Sequence, residues 1–92
     1  AAMYSVMLRY ADAVVIDGDT IYIVEAKLAP NGGAVGQLLQ YGMLIAETPE
    51  FSQYRGLKIQ LVLLSAKRSG DVEEMCARNG IMFVFYHVAW LL

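Results

Sequence analysis

Asp12-Ala13-Val14-Val15-Ile16-Asp17-Gly18-Asp19-Thr20-Ile21-Tyr22-Ile23-Val24-Glu25-Ala26-Lys27 is the stretch whose reading decides the fold. Two apolar, largely β-branched runs flank Asp17-Gly18-Asp19, residues that tolerate positive φ, which predicts two antiparallel strands joined by a tight turn. If Gly18-Asp19 are the central turn residues, Asp17 faces Thr20, Ile16 faces Ile21 and Asp12 faces Glu25. A turn centred on Asp17-Gly18 would pair Asp12 with Ile23 instead. That slip is two residues, so the face on which each side chain lies is kept.

Directly opposite residues of an antiparallel pair project from one face with Cβ atoms about 4.5–5.5 Å apart, and like charges there repel unless something compensates. A divalent cation would compensate for Asp12 and Glu25. Side chains in a strand return to the same face every second residue, so Lys27 joins Glu25 there. Three of the few charges in the chain are thereby expected to meet at one strand end.

Outward from the hairpin, Met3 to Arg9 alternates weakly and suits an earlier strand. Pro30-Asn31-Gly32-Gly33 forces the chain out of the sheet after Leu28. Val35, Leu38, Leu39, Gly42, Ile45 and Ala46 then recur at helical spacing, predicting a helix from Ala34 to Ala46 that Thr48-Pro49 stops. Gln37 and Tyr41, four apart, share a flank of that helix and look back at the strand end. Lys58 to Ser65 reads as a buried strand, Asp71-Val72-Glu73-Glu74 as the acidic first turn of a helix ended by Asn79-Gly80, and Ile81 to Tyr86 as a last strand. This order is α/β, a small mixed sheet flanked by helices, and the hairpin strands are apolar enough on both faces to expect cover on both sides.

The chain has 92 residues, which suits a single domain spanning 1–92 with a modest buried fraction. A hydrophobic content of 58% against 17% charged predicts more apolar surface than one copy can bury, hence a homo-oligomer or docking in a larger assembly. The apolar tail Val88-Ala89-Trp90-Leu91-Leu92 points the same way. The longest nearly apolar stretch, Ile81 to Leu92, is interrupted by His87 and falls short of a membrane span. No secretory signal is visible, and Cys76 is the only cysteine, which excludes an internal disulfide and cysteine-cluster metal sites and fits a reducing, cytoplasmic setting. A net charge of −2 argues against a nonspecific nucleic-acid coat, since such affinity comes from many cations neutralising phosphates.

Asp12, the triplet Glu25-Ala26-Lys27 and Gln37-Leu38-Leu39-Gln40-Tyr41, in that order, resemble the PD-(D/E)XK nuclease superfamily, in the branch that carries Gln-x-x-x-Tyr. The resemblance covers roughly residues 9 to 65. It implies a restriction-endonuclease-like core and metal-dependent hydrolysis of nucleic-acid phosphodiesters, with DNA favoured over RNA as partner. It implies Asp12 and Glu25 as ligands of one or two Mg²⁺ or Mn²⁺ ions, with the Ala26 carbonyl as a further ligand. Lys27 would orient or deprotonate the attacking water, Gln37 would position Lys27 or a metal-bound water, and Tyr41 would complete the motif. Arg9, Arg55, Lys58, Lys67 and Arg68 would contact phosphates. Two departures stand out: Ala11 replaces a frequent proline, and with only ten residues before it the helix that usually opens the core is missing or is supplied by a partner or by an upstream segment.

Each residue also has a blander reading. Asp12, Glu25 and Lys27 could form a surface ion-pair cluster, Gln37 a solvated position, Tyr41 a core aromatic and Lys67-Arg68 a solvated loop. Asp17 and Asp19 are turn residues, and His87 reads as structural. A second function class keeps the fold as a structural or nucleic-acid-binding component of a larger assembly, for example a viral one. A third, an interaction domain with no link to nucleic acid, leaves the charged cluster to chance.

Overall fold

The structure, a computed structural model, describes residues 11–47 and 56–87. The strand expected over Met3 to Arg9 and the tail Val88-Ala89-Trp90-Leu91-Leu92 lie outside these residues, as do Arg9 and Arg55. Strands β1 (Ala13–Asp17) and β2 (Thr20–Lys27) are followed by helix α1 (Gly32–Glu47), strand β3 (Lys58–Ser65), helix α2 (Gly70–Arg78) and strand β4 (Met82–Phe85). The sheet order is β1-β2-β3-β4, with β1 antiparallel to β2 and the other pairs parallel. The fold is α/β with a small mixed sheet, as the order of elements predicts.

Asp17 pairs with Thr20 and Ile16 with Ile21, which selects Gly18-Asp19 as the turn. Gly18 alone carries a positive φ, +58°, while Asp19 does not, the pattern of a type II′ turn with glycine first. This turn matches the right-handed twist of the strands and sets the register for the rest of the hairpin.

Both parallel connections, β2-α1-β3 and β3-α2-β4, step the same way across the sheet. Crossovers of the usual right hand then drop both helices on one face. Accordingly α1 packs on β2 and β3, α2 on β4 and on α1. Ile21, Ile23, Leu63, Leu38, Ile45 and Cys76 are fully buried between sheet and helices, with Val14, Val35, Val72 and Ile81 around them. Burial of the Cys76 thiol pushes its pKa up, so this residue is a packing group and not a nucleophile.

On the opposite face Val62 is buried, 6% exposed. Among the described residues no element lies on that face, and it presents Val15, Met82 and Val84 to solvent beside half-buried Tyr22, Val24 and Leu64. Both described helices pack on the first face, so the described elements themselves leave Val15, Met82 and Val84 exposed on the second.

Helix α1 begins at Gly32, two residues before the predicted start, because Asn31 caps it. The Asn31 side-chain oxygen accepts from the Ala34 amide at 2.8 Å. Asn31→Ala is expected to cost about 1 kcal/mol in a denaturant melt, the ordinary value of such a cap. Its apolar stripe is as read, with Ala34 added and Ala46 exposed.

Helix α2 is framed at both ends. The Ser69 hydroxyl accepts from the Val72 amide, and the Glu73 carboxylate reaches back to the Ser69 amide at 3.2 Å. Gly80, with φ +66°, closes the other end, and the Ile81 amide donates to the Cys76 carbonyl at 2.9 Å, a Schellman arrangement that brings two buried side chains together.

Candidate functional site

β2, β3 and β4 run parallel, so their carboxyl ends share one edge of the sheet, where ligands of open α/β sheets commonly bind. Lys27 lies beside Ser65, and Ser65 beside Phe85. Glu25, Lys27, Ser65, Lys67, Arg68, Phe85, Tyr86 and His87 thus gather at this edge. The helix α1 amino terminus comes to the same edge, since it follows β2 after only a short loop.

Glu25 and Lys27 share the helix-side face, as the period of two requires. The Lys27 ammonium sits 3.5 Å from a Glu25 carboxylate oxygen. Glu25 is only 7% exposed, which excludes the blander reading of it as part of a surface ion-pair cluster. Its neighbour across β3 is fully buried Leu63, which explains the burial. A carboxylate so placed needs a partner, because an uncompensated charge away from water is costly.

Asp12 departs from the expected pairing. The ladder ends at Ala13 opposite Val24, so Asp12 does not stand as the direct ladder partner of Glu25. Its amide instead donates to the Val24 carbonyl at 3.0 Å, so two consecutive residues, Asp12 and Ala13, face one residue of β2. That is the arrangement of a β-bulge, which bends a strand and re-aims a side chain. The re-aimed Asp12 carboxylate accepts from the Ala26 amide at 2.8 Å, taking the place of a missing strand carbonyl. Asp12 therefore rests one peptide unit from Glu25, exposed where Glu25 is buried.

The Ala26 carbonyl points the same way. The Lys27 carbonyl accepts from the Ala66 amide on the β3 side, so odd residues of β2 face β3 and even ones face β1. Past the end of β1, the Ala26 carbonyl is therefore directed to the side of β2 on which Asp12 accepts from the Ala26 amide.

Gln37 is exposed in the second turn of α1, and Tyr41 is half-buried one turn further on. Both flank the apolar stripe as expected. Among the candidate phosphate contacts, Lys67 is exposed at the site edge and, among the described residues, has no ion pair. Arg68 is already engaged: its Nε donates to Glu73 Oε2 at 3.3 Å, a second nitrogen bonds Oε1, and its guanidinium lies 5.7 Å from the centre of the Phe85 ring. The hydrogen bond from Arg68 holds the Glu73 carboxyl below its ordinary range, and the same bond raises Arg68. A carboxyl lowered in the folded state stabilises above its unfolded pKa, and this contribution disappears as pH falls through the folded value. Glu73→Gln is expected to flatten the acid limb of the stability curve, as read by thermal melts between neutral and acid pH.

Lys58 is not at this edge. It opens β3 beside Thr20, roughly 23 Å from Ser65 at the ordinary strand rise, and its exposed ammonium is 4.0 Å from Asp19 near the turn. The geometry separates Lys58 from Lys27 and Lys67.

Sequence reading missed Tyr86 and His87 as members of this edge. Tyr86 is 63% exposed, and the His87 ring centre is 6.2 Å from that of Phe85. His87 was read as structural from its apolar neighbours, yet it lies just past β4, exposed. The signal available was topological: the last strand of a parallel set must deliver its end to the same edge.

Among the described residues there is no group of three or more His, Cys, Asp and Glu that could enclose a metal, and no helix is long and apolar enough to cross a membrane. Comparison with known proteins yields no matching family model, no matching curated protein and no matching solved structure.

Proposed function

We propose that the carboxyl edge of β2 is a metal-dependent phosphodiesterase site acting on nucleic acid, DNA in preference to RNA. The observation that carries this reading is the adjacency of Asp12, Glu25 and Lys27. A bulge aims one carboxylate at the Ala26 amide, and the next residue back supplies a second carboxylate in contact with a lysine. The residues fit Mg²⁺ or Mn²⁺ by their chemistry, since Mg²⁺ is usually held by one or two carboxylates and keeps several waters, needing no protein cage. Asp12 through its second oxygen, Glu25 and the Ala26 carbonyl would hold the ion. When bound, the ion would polarise the phosphate and lower the pKa of a coordinated water.

The remaining work falls to this chain. Lys27 keeps a donor within reach of Glu25 and, being half-exposed, of a phosphate oxygen, where it offsets charge developing on phosphorus and orients the attacking water. Buried Glu25 fixes Lys27 in place. Gln37 acts on Lys27 or on water from the helix flank, and Tyr41 supports that flank. Lys67, without an ion pair among the described residues, supplies a cation for the neighbouring phosphate. The resemblance to the PD-(D/E)XK superfamily supports the same assignment.

A homo-oligomer is part of the same reading, supported by the exposed apolar residues Val15, Met82 and Val84 and by the 58% hydrophobic content. Light scattering at micromolar concentration tests it, a monomer contradicting it. Metal binding is tested by Mn²⁺ titration with NMR detection: amide signals around Ala26 should broaden first, and Asp12→Asn with Glu25→Gln should abolish the effect. Broadening confined to Asp71 and Glu74 would contradict the assignment.

A further inference from the structure

A pocket of about 230 Å³ opens at the same sheet edge, lined by Ala26, Lys27, Leu28, Leu64, Ser65, Ala66 and Tyr86. We propose that it seats one unpaired nucleobase of the substrate strand, so that the substrate is single-stranded nucleic acid or the frayed or flapped end of a duplex. This deepens the phosphodiesterase reading and rests on it for the identity of the polymer.

Position is the first argument. Ala26 and Leu64 are neighbours in register and project from the face opposite the helices, whereas Glu25 and Lys27 project toward the helices. The pocket and the charged cluster therefore lie on the two sides of one strand tip, joined by Ala26 and Lys27. A nucleotide fits such a split. Its phosphate would meet Lys27 and the carboxylate-held ion on one side while its base turns over the tip into the apolar side.

Chemistry is the second. The lining residues are apolar apart from Lys27, Ser65 and Tyr86, and none is a carboxylate, which suits a flat neutral ring tethered to an anion. Tyr86 is held at its backbone, its amide donating to the Ser65 carbonyl at 2.8 Å, while its ring stays 63% exposed. An exposed aromatic face on a fixed backbone is a stacking platform, and every base has a π-face to offer it. A base inside an intact duplex is stacked and paired and cannot enter, so the pocket selects unpaired ends.

The test is fluorescence anisotropy in EDTA with a labelled single-stranded thymidine oligonucleotide and a blunt duplex of equal length. Wild-type protein should bind the single strand more tightly. Tyr86→Ala should weaken that binding about tenfold, the ordinary effect of removing one stacking ring, while Tyr86→Phe should bind as wild type does. Because Tyr86 is largely exposed, both variants should melt like the wild type. Equal binding by Tyr86→Ala, equal loss in both variants, or no preference for the single strand would overturn the proposal. The two readings separate cleanly. A wild-type protein that shows the Tyr86 dependence yet cuts nothing removes the hydrolytic reading and leaves the base site; metal-dependent cutting of blunt duplex that is indifferent to Tyr86→Ala does the reverse.

Discussion

Glu25→Gln and Lys27→Ala are each expected to lower metal-dependent cleavage of nucleic acid by about a hundredfold or more, the usual cost of losing a group that handles a proton or transition-state charge. Glutamine keeps the shape of glutamate and removes the charge that would hold a cation. Alanine at position 27 removes the ammonium that sits 3.5 Å from Glu25. The two substitutions differ in stability. Glu25 is 7% exposed, so Lys27→Ala leaves a mostly buried carboxylate without its partner and should also lower stability by about 1–3 kcal/mol. Glu25→Gln relieves that problem and should melt near the wild type. Activity lost in a protein that melts normally, as in Glu25→Gln, isolates the chemistry. Full activity in both variants would assign the cleavage to something other than this strand end.

Leu63→Ala is expected to cost about 2–5 kcal/mol, enough to leave much of so small a domain unfolded at room temperature. Leu63 is fully buried, toward the carboxyl end of β3 between Glu25 of β2 and Phe83 of β4, under the helices. Its removal would open a cavity in the layer that supports Glu25 from one side. Urea unfolding reads the loss, and a shift below about 1 kcal/mol would contradict the packing described. Val15→Ala, on the open face, should by comparison be nearly silent.

Most of the fold was legible because the local signals agree with one another. The Gly18-Asp19 turn set the pairing, β3 runs from Lys58 to Ser65 as read, and Asn79-Gly80 ends α2. The helix start was placed late because the stripe of apolar residues begins at Ala34, whereas the helix begins where Asn31 can cap it. The site was legible in its residue types and in the Glu25-Lys27 contact, which follows from a period of two. It was not legible in its geometry. A bulge at Asp12 has no mark in composition, and it replaces a simple cross-strand pair by a carboxylate bonded to the Ala26 amide. The commitment of Arg68 to Glu73 was hidden for a related reason: the glutamate closes the capping arrangement at Ser69 and so faces back toward Arg68. Tyr86 escaped notice because its place depends on where three parallel strands end together.

The most direct measurement is cleavage by the purified protein of a panel of labelled single-stranded, duplex and branched DNA and RNA, in Mg²⁺ or Mn²⁺ and again in excess EDTA. The account predicts cutting that requires the divalent ion, favours substrates with unpaired ends and disappears in Glu25→Gln. Protein that binds Mn²⁺ at Ala26 yet cuts no member of the panel, or cutting that persists in EDTA, would contradict it.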